Sequence, residues 1–312
     1  GCINTSNLYS AQICIKSNLI FKKKPKDLNQ YFCLRESLIR FLREDIATGD
    51  LTSEYVINKD LKSSSFIICK SECAVVAGLE EARTIFDICK CGSKSLVKDG
   101  ALVKKGSRVM VVTGNTRSIL KAERTALNLM MRMSGIATDT KKYADIAKAV
   151  SKDIKITGTR KTAPGLRYFD KKSIVLGGGY AHRNTLDEMI LIKDNHLAVT
   201  KSIEEAISMA RQKSGKNIRI ECEVIDTKSS IEAINSGADI IMLDNFSPQR
   251  AQKTISYLKE LGLRKKILIE ISGGVNLSNI KEYAHALPDM ISVGSLTHSS
   301  KSVDFSMEME NN

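Results

Sequence analysis

Tryptophan is absent from this sequence, and aromatic residues make up only 5% of it. No zinc-finger spacing occurs either. The stacking platforms of a nucleic-acid binder are therefore missing. Apolar runs such as SSSFIICK and IIML are short, and none approaches the ~18–20 residues of a membrane helix. No Gly-x-Gly-x-x-Gly follows a first strand, which counts against an open dinucleotide-binding sheet. The eight cysteines, Cys2, Cys14, Cys33, Cys69, Cys73, Cys89, Cys91 and Cys222, are scattered. Cys89-Lys90-Cys91 has no second pair to complete a zinc site, so the cysteines read as reduced thiols of an intracellular protein.

What remains is a chain of 312 residues, 42% hydrophobic and 27% charged. That describes a globular protein of two domains, or one large barrel with an appendage. Its formal net charge is +13, which implies a basic surface, part of it addressed to an anionic ligand. The first 26 residues hold Lys16, Lys22, Lys23, Lys24 and Lys26 and no acid. Such a stretch suits a targeting segment, an upstream extension or a loosely ordered arm. Gly1-Cys2, followed by Thr5 and Ser6, also fits an acylation pattern if an initiator methionine is removed. The expected compartment is the cytoplasm, or an organelle if the basic arm is a targeting remnant.

Helical spacing of Leu34, Leu38, Phe41 and Leu42 predicts a helix over Tyr31–Arg43. A polar, turn-rich loop is expected over Glu44–Ser53. Strands are expected at Ser65–Lys70 and Ala74–Ala77, and a helix at Glu80–Cys89. Two turn signals, Asp99-Gly100 and Lys105-Gly106, divide the β-branched runs of Val97–Gly114. This first part is a small α+β module. A long helix is predicted over Arg117–Met133, with Ile119, Ala122, Ala126, Leu129, Met130 and Met133 on one face and Gly135 as its stop. Arg124 and Asn128 share a different, polar face.

Beyond this helix, strand-like runs alternate with helical ones. Strands are expected at Ile154–Thr157, Ile174–Leu176, Met189–Ile192, Ile218–Val224, Ile240–Leu243, Lys266–Ile271 and Met290–Val293. Helices are expected at Ser202–Lys213, Ser229–Ser236, Pro248–Leu261 and Asn276–His285. Repeated βα units imply a parallel sheet, and their rhythm favours closure towards a barrel over an open doubly wound sheet.

The stretch Thr157–His196 concentrates cations and flexible backbone: Arg160, Lys161, Arg167, His182, Arg183, Lys193 and Gly177–Gly179. Polar residues follow nearly every strand. They are Thr159-Arg160-Lys161, Lys193-Asp194-Asn195-His196, Asp244-Asn245, Ser272-Gly273-Gly274 and Gly294-Ser295. Glu221 and Glu223 lie two apart within one strand and so share a face. In βα barrels the carboxyl ends of the strands form one rim, where active sites lie. Arg160, Lys161, Arg183 and Lys193 suit carboxylate or phosphate. Glu223 and Asp244 could hold Mg²⁺ together with substrate oxygens. The small residues at 272–274 and 294–295 let backbone N–H groups approach a phosphate. Together these features suggest a phosphorylated sugar, Mg²⁺ and a second, acidic substrate. Gly177–Gly179 reads as a turn. Lys193 could also be a Schiff-base lysine of an aldolase, but its acidic neighbours Asp187, Glu188 and Asp194 favour a charged, anion-binding group.

The runs TGTRKTAPGLR, GGGYAHR and LIKDNH resemble the quinolinate phosphoribosyltransferase family, the carboxylating nicotinate-nucleotide pyrophosphorylases. ECEV, DIIMLDNFSP, SGG and SVGSLTHS follow in the family's order, and EDIATGDLTS and AERTALNLMMRMSGIAT match upstream. The likeness covers roughly Leu34 to Met309. One departure is Ala181, where many members carry asparagine. The resemblance implies an α/β protein: an amino-terminal α/β sandwich domain (31–135, completed by the tail 300–312) and an incomplete, open α/β barrel (136–299) of the type II phosphoribosyltransferase kind, behind a basic arm (1–30). The alternating Val303, Phe305, Met307 and Met309 resemble the family's tail, which returns to pair with the first domain.

The implied reaction moves the phosphoribosyl group of phosphoribosyl pyrophosphate to quinolinate, with loss of CO₂. By the same resemblance, Arg160, His182 and Arg183, with Thr159, hold the acid. Lys161 and Lys193 meet substrate and pyrophosphate oxygens. Glu223 and Asp244 meet the ribose hydroxyls and Mg²⁺. Ser272, Gly273, Gly274, Gly294 and Ser295 hold the 5-phosphate. Lys161, Lys193, Glu223 and Asp244 carry the catalytic step. The implied assembly is a homodimer or a hexamer of dimers, with Arg124 donated across the interface. No nucleic acid and no membrane span are expected.

Overall fold

A computed structural model describes residues 28–215 and 217–310. Of the basic arm expected over residues 1–30, residues 1–27, with the acylation pattern at their start, lie outside the described residues, and residues 28–30 instead begin the first helix. In chain order the elements are α1 (Leu28–Ile46), α2 (Leu51–Val56), β1 (Lys62–Cys69), β2 (Cys73–Val75), α3 (Leu79–Ile88), β3 (Gly92–Ser95), β4 (Leu102–Lys104), β5 (Arg108–Asn115) and α4 (Thr116–Val150). There follow β6 (Lys155–Thr157), α5 (Arg167–Leu176), β7 (Ile190–Ile192), α6 (Asp194–Leu197), α7 (Ile203–Ser214), β8 (Ile220–Val224), α8 (Thr227–Asn235), β9 (Ile240–Asp244) and α9 (Pro248–Glu260). The chain ends with β10 (Leu268–Ser272), α10 (Ile280–His285), β11 (Met290–Ser292), α11 (Ser295–His298) and β12 (Phe305–Met309).

The described residues divide into two compact units, 28–135 with 301–310, and 136–300. In the first, an antiparallel sheet runs β12-β1-β5-β3, and a two-stranded ribbon joins β2 to β4. The tail strand β12 pairs antiparallel with β1, Phe305 opposite Cys69 and Met309 opposite Ser65. Helix α1 lies against α3. Ile67, Met110 and Val112 of the sheet and Ile85 and Phe86 of α3 are fully buried. The polar loop expected over 44–53 ends sooner, because α2 begins at Leu51. Asp50 caps that helix by accepting the Ser53 backbone N–H at 3.1 Å, the usual way a helix start meets its orphan donors.

Two expectations fail for identifiable reasons. Gly135 does not stop α4, which continues to Val150. A Cβ built at Gly135 would lie 1.7 Å from the carbonyl oxygen of Lys301. The glycine is there to let the returning tail cross the helix, not to end it. The run Ile174–Leu176 is not a strand but the last turn of α5. Phe169, Asp170, Ser173 and Ile174 form that helix's buried side, so helical packing overrides the β-branched preference.

The second unit therefore has six parallel strands, not seven. Their order is β6-β11-β10-β9-β8-β7, an open barrel sheet whose two edge strands are not paired to each other. Tyr180 adds an isolated parallel bridge to Thr157 beside β6. Helices between the strands start on clear signals. Ser202 caps α7, Asp226 caps α8 through a capping box, and Ser247-Pro248 opens α9. The period of two along each strand separates two chemistries. Cys222, Ile241, Leu243, Ile269, Ile271 and Ile291 belong to one hydrophobic core with residues of the surrounding helices, Ile207, Ala233, Leu258 and Ile280 among them. Alternate positions, Thr157, Glu221, Glu223, Asp244, Glu270, Ser272 and Ser292, fall on the other face.

Candidate active site

The carboxyl end of each parallel strand carries a residue named in the sequence analysis. Past β6, Gly158 leads into Thr159, Arg160 and Lys161. Thr159 Oγ1 accepts the Lys161 backbone N–H at 3.1 Å, and the Thr297 hydroxyl of α11 donates to the Lys161 carbonyl at 2.8 Å. The loop is thus held from both sides. Arg160 Nε is buried and has no hydrogen-bond partner among the described residues. Arg183 is buried, and its Nη1 donates to the Met189 carbonyl at 3.3 Å. Burial lowers the Arg183 pKa, and the neighbouring Arg160 lowers it further. Two guanidinium groups close to one another with unmet donor capacity suit a polyanion.

His182 lies between these arginines in sequence and in the left-handed region, at φ 55°. Its Nε2 is 2.9 Å from Glu270 Oε2 and 3.6 Å from Glu221 Oε2. Glu270 Oε1 accepts the Ser292 hydroxyl at 2.5 Å, and Ser292 Oγ lies 2.7 Å from Thr157 Oγ1. Both carboxylates are buried, and neither oxygen of Glu221 has a hydrogen-bond partner among the described residues. Burial pushes Glu221 well above the usual carboxylate range, and the nearby Glu270 adds to this. His182, Glu221 and Glu270 also form the one group of three metal-ligating side chains within 4.8 Å among the described residues.

Glu223 and Asp244 end adjacent strands. Burial raises both, Glu223 also because Asp244 is near, while Lys193 opposes the shift in each and Lys161 opposes it in Asp244. Lys193 Nζ is 3.7 Å from Glu223 Oε2. Lys193 sits at the N-cap of α6, where its backbone N–H donates to His196 Nδ1 at 3.0 Å. The sequence-predicted residues thus fall into three adjoining groups: the basic residues Arg160, His182 and Arg183; the lysines Lys161 and Lys193 with the acids Glu223 and Asp244; and the small residues of the late loops.

In the last group, Gly273 has φ 89° and lies so close to Asn245 that a Cβ would be 2.2 Å from its Oδ1 and 2.8 Å from its backbone nitrogen. Gly274, at φ 66°, has open space on its Cβ side. At Gly294 a Cβ would be 3.3 Å from the His298 ring and 3.5 Å from Lys161 Cδ. Gly177–Gly179 instead end α5. A Cβ at Gly177 would strike the Ala137 carbonyl oxygen at 2.3 Å, and one at Gly179 would meet Thr140 and Ile174. The triple glycine is a helix end packed against α4, followed by the loop with His182 and Arg183.

Arg124 lies in the other unit, on the exposed face of α4, with its Nη2 3.9 Å from Glu123. Two residues of the site, Glu270 and Lys171, escape the sequence reading. For Glu270 a signal was there: a glutamate amid ILIEIS, on the period of the inner face. For Lys171 there was none, because within Asp170-Lys171-Lys172 it resembles any solvated lysine.

A parallel, open barrel sheet with basic side chains, paired carboxylates and glycine loops at one rim is the architecture of an open-barrel phosphoribosyltransferase. The sequence pattern of the quinolinate phosphoribosyl transferase family matches twice, its N-terminal domain over residues 50–134 and its C-terminal domain over 136–308. The chain belongs to that family. A protein of Archaeoglobus fulgidus described as probable nicotinate-nucleotide pyrophosphorylase (carboxylating) is 41% identical, over 84% of this chain and 98% of its own length. One of the same description from Bacillus subtilis is 38% identical, over 88% and 93%. The crystal structure of NadC from Streptococcus pyogenes superposes with a TM-score of 0.83 at 33% identity, covering 92% of this chain and 97% of that one.

Proposed function

We infer that this protein transfers the 5-phosphoribosyl group from phosphoribosyl pyrophosphate to quinolinate, giving nicotinate mononucleotide, pyrophosphate and CO₂ in NAD biosynthesis. The observation that carries this reading is the juxtaposition of Arg160, His182 and Arg183 on the same rim as Glu223, Asp244, Lys161 and Lys193. A dicarboxylic acid needs several cations, and the sugar beside it needs carboxylates and phosphate ligands. Arg160, His182 and Arg183 take the two carboxylates of quinolinate, with Thr159 shaping their loop. Ser272, Gly273 and Gly274, with Gly294 and Ser295, take the 5-phosphate through backbone N–H groups. Lys161 and Lys193 meet the pyrophosphate oxygens. Arg124, exposed on its own unit, reaches a second copy's site in a homodimer or a hexamer of dimers.

Mg²⁺ fits Glu223 and Asp244. Glu223 is buried and Asp244 partly so, they end neighbouring strands, and Asp244 makes Glu223 harder to ionise, a repulsion that a cation would relieve. Two carboxylates plus substrate oxygens are the usual magnesium donor set. The ion supplies charge neutralisation at the pyrophosphate oxygens. Glu223 and Asp244 also accept hydrogen bonds from the ribose hydroxyls and stabilise positive charge on the ring as the bond from C1 to pyrophosphate breaks. Lys161 and Lys193 stabilise the departing anion. The quinolinate nitrogen then attacks C1. Its positive charge draws the electrons of the adjacent C–CO₂⁻ bond into the ring, CO₂ leaves, and a proton takes its place. No covalent enzyme intermediate is needed, and Lys193 acts as an ion rather than a nucleophile.

The test is incubation with phosphoribosyl pyrophosphate, Mg²⁺ and either quinolinate or nicotinate. Pyrophosphate and CO₂ in equal amounts from quinolinate are expected. Pyrophosphate from nicotinate, with neither product from quinolinate, would assign the protein to a non-decarboxylating acid.

A further inference from the structure

Lys171 is fully buried, which is rare for lysine unless its charge is met. It projects from α5 beneath the acid-binding side of the site. Its Nζ donates to three backbone carbonyls: Gly158 at 3.4 Å, Arg183 at 3.2 Å, and Ala181. An ammonium has three N–H donors, so the group is matched one to one. The acceptors are not arbitrary. Gly158 directly precedes Thr159-Arg160. Ala181 and Arg183 flank His182, whose left-handed backbone, φ 55°, turns the carbonyls on both sides of it to the same ammonium. Glu270 of β10 lies close to the imidazole, its Oε2 2.9 Å from Nε2.

We propose that Lys171 is a positioning residue for the acid substrate, tying the Gly158 loop to the Ala181–Arg183 turn so that Arg160, His182 and Arg183 face one ligand. This rests on the assignment of those three residues to quinolinate. Lys171 is not a nucleophile, since no atom of it reaches solvent. Burial pushes its pKa down to about 7; Arg167 pushes the same way, Glu188 and Glu270 oppose, and Arg183 adds a smaller push down. Above that pH a neutral amine has two N–H groups for three carbonyls, and the tie weakens.

The experiment compares steady-state kinetics of Lys171→Met with His182→Ala and Arg183→Ala. Lys171→Met has nearly the same length and no donor. The expected result is a rise of about tenfold or more in KM for quinolinate, because small misplacement of binding groups is costly, with KM for phosphoribosyl pyrophosphate changed less than about twofold. A purely structural role would move both constants or neither. If His182→Ala and Arg183→Ala raise the quinolinate KM and Lys171→Met does not, the positioning role is overturned. If neither His182→Ala nor Arg183→Ala raises it, the acid-site assignment itself fails. Should Lys171→Met not fold, Lys171→Gln, shorter but still carrying N–H donors, takes its place: a raised quinolinate KM with the other KM held is expected, and an unchanged quinolinate KM would sink the proposal.

Discussion

Lys171 carries a second consequence, for stability, that is independent of substrate. Its folded pKa is about 7, below the ordinary lysine value of 10.5, because the charged form loses its water. Between those two pH values the unfolded chain binds a proton that the folded chain does not, so stability rises with pH there. The contribution is complete above about 10.5 and is lost as pH falls towards 7. The slope for one proton is about 1.4 kcal/mol per pH unit. Urea melts of the wild type and Lys171→Met from pH 7 to pH 10 should therefore diverge, the wild type gaining on the variant as pH rises. Parallel curves would mean that Lys171 titrates like an exposed lysine. The same residue shows where reading the sequence stops. Arg160, Lys193, Glu223 and Asp244 announce themselves because each follows or ends a strand and strand ends share a rim; Arg183 is marked only by the concentration of basic residues around it. Lys171 lies mid-helix in a charged run, and only the carbonyls turned towards it distinguish it from a surface lysine.

At the scale of elements, the βα rhythm of the second unit was legible because apolar runs and caps repeat. The helices expected from Ser202, Ser229 and Pro248 begin at Ile203, Thr227 and Pro248, within two residues in each case. Illegible were features fixed by contacts remote in sequence. Ile174–Leu176 is helical because its partners face one side of α5, and no local property of Ile-Val-Leu reveals that. Gly135 is the sharper case. Glycine near a helix end signals a stop, yet α4 runs on to Val150, because the tail needs the missing side chain. Val303 N–H donates to the Met131 carbonyl at 3.0 Å beside this crossing, and β12 then completes the sheet. Gly135→Ala should gain about 1 kcal/mol of helix propensity. It should lose more to a Cβ placed 1.7 Å from the Lys301 oxygen, backbone that cannot rotate aside. Overpacking of this kind costs about 1–3 kcal/mol or more. A lower melting temperature and faster proteolysis between residues 299 and 304 are expected. A melting temperature at or above that of the wild type would mean that the tail does not cross the helix there.

At the scale of the whole molecule, the question is what Arg124 serves. The helix α4 buries Ile119, Ala122, Ala126, Met130 and Met133, yet leaves Arg124 and Asn128 exposed on its other side. Glu123, at 3.9 Å, is a weak partner for a guanidinium that is mostly solvated. An arginine carried there serves the surface, the pocket of its own chain or that of a second copy. A surface role leaves Arg124→Ala active, and the other two cases separate cleanly in mixtures. Under the proposed shared site, Arg124→Ala and Arg160→Ala should each be inactive alone, since each would remove a cation from the acid pocket. In a shared-site dimer, one hybrid site combines both defects and the other has neither, because intact Arg160 of one subunit meets intact Arg124 of its partner. Random exchange makes half of the dimers hybrids, so about a quarter of wild-type activity should return in an equimolar mixture. Activity that stays at the level of the separate variants, after exchange has been shown with a size-tagged subunit, would mean that each chain completes its own pocket. Activity that returns would make the assembly, rather than the single chain, the smallest unit able to bind quinolinate.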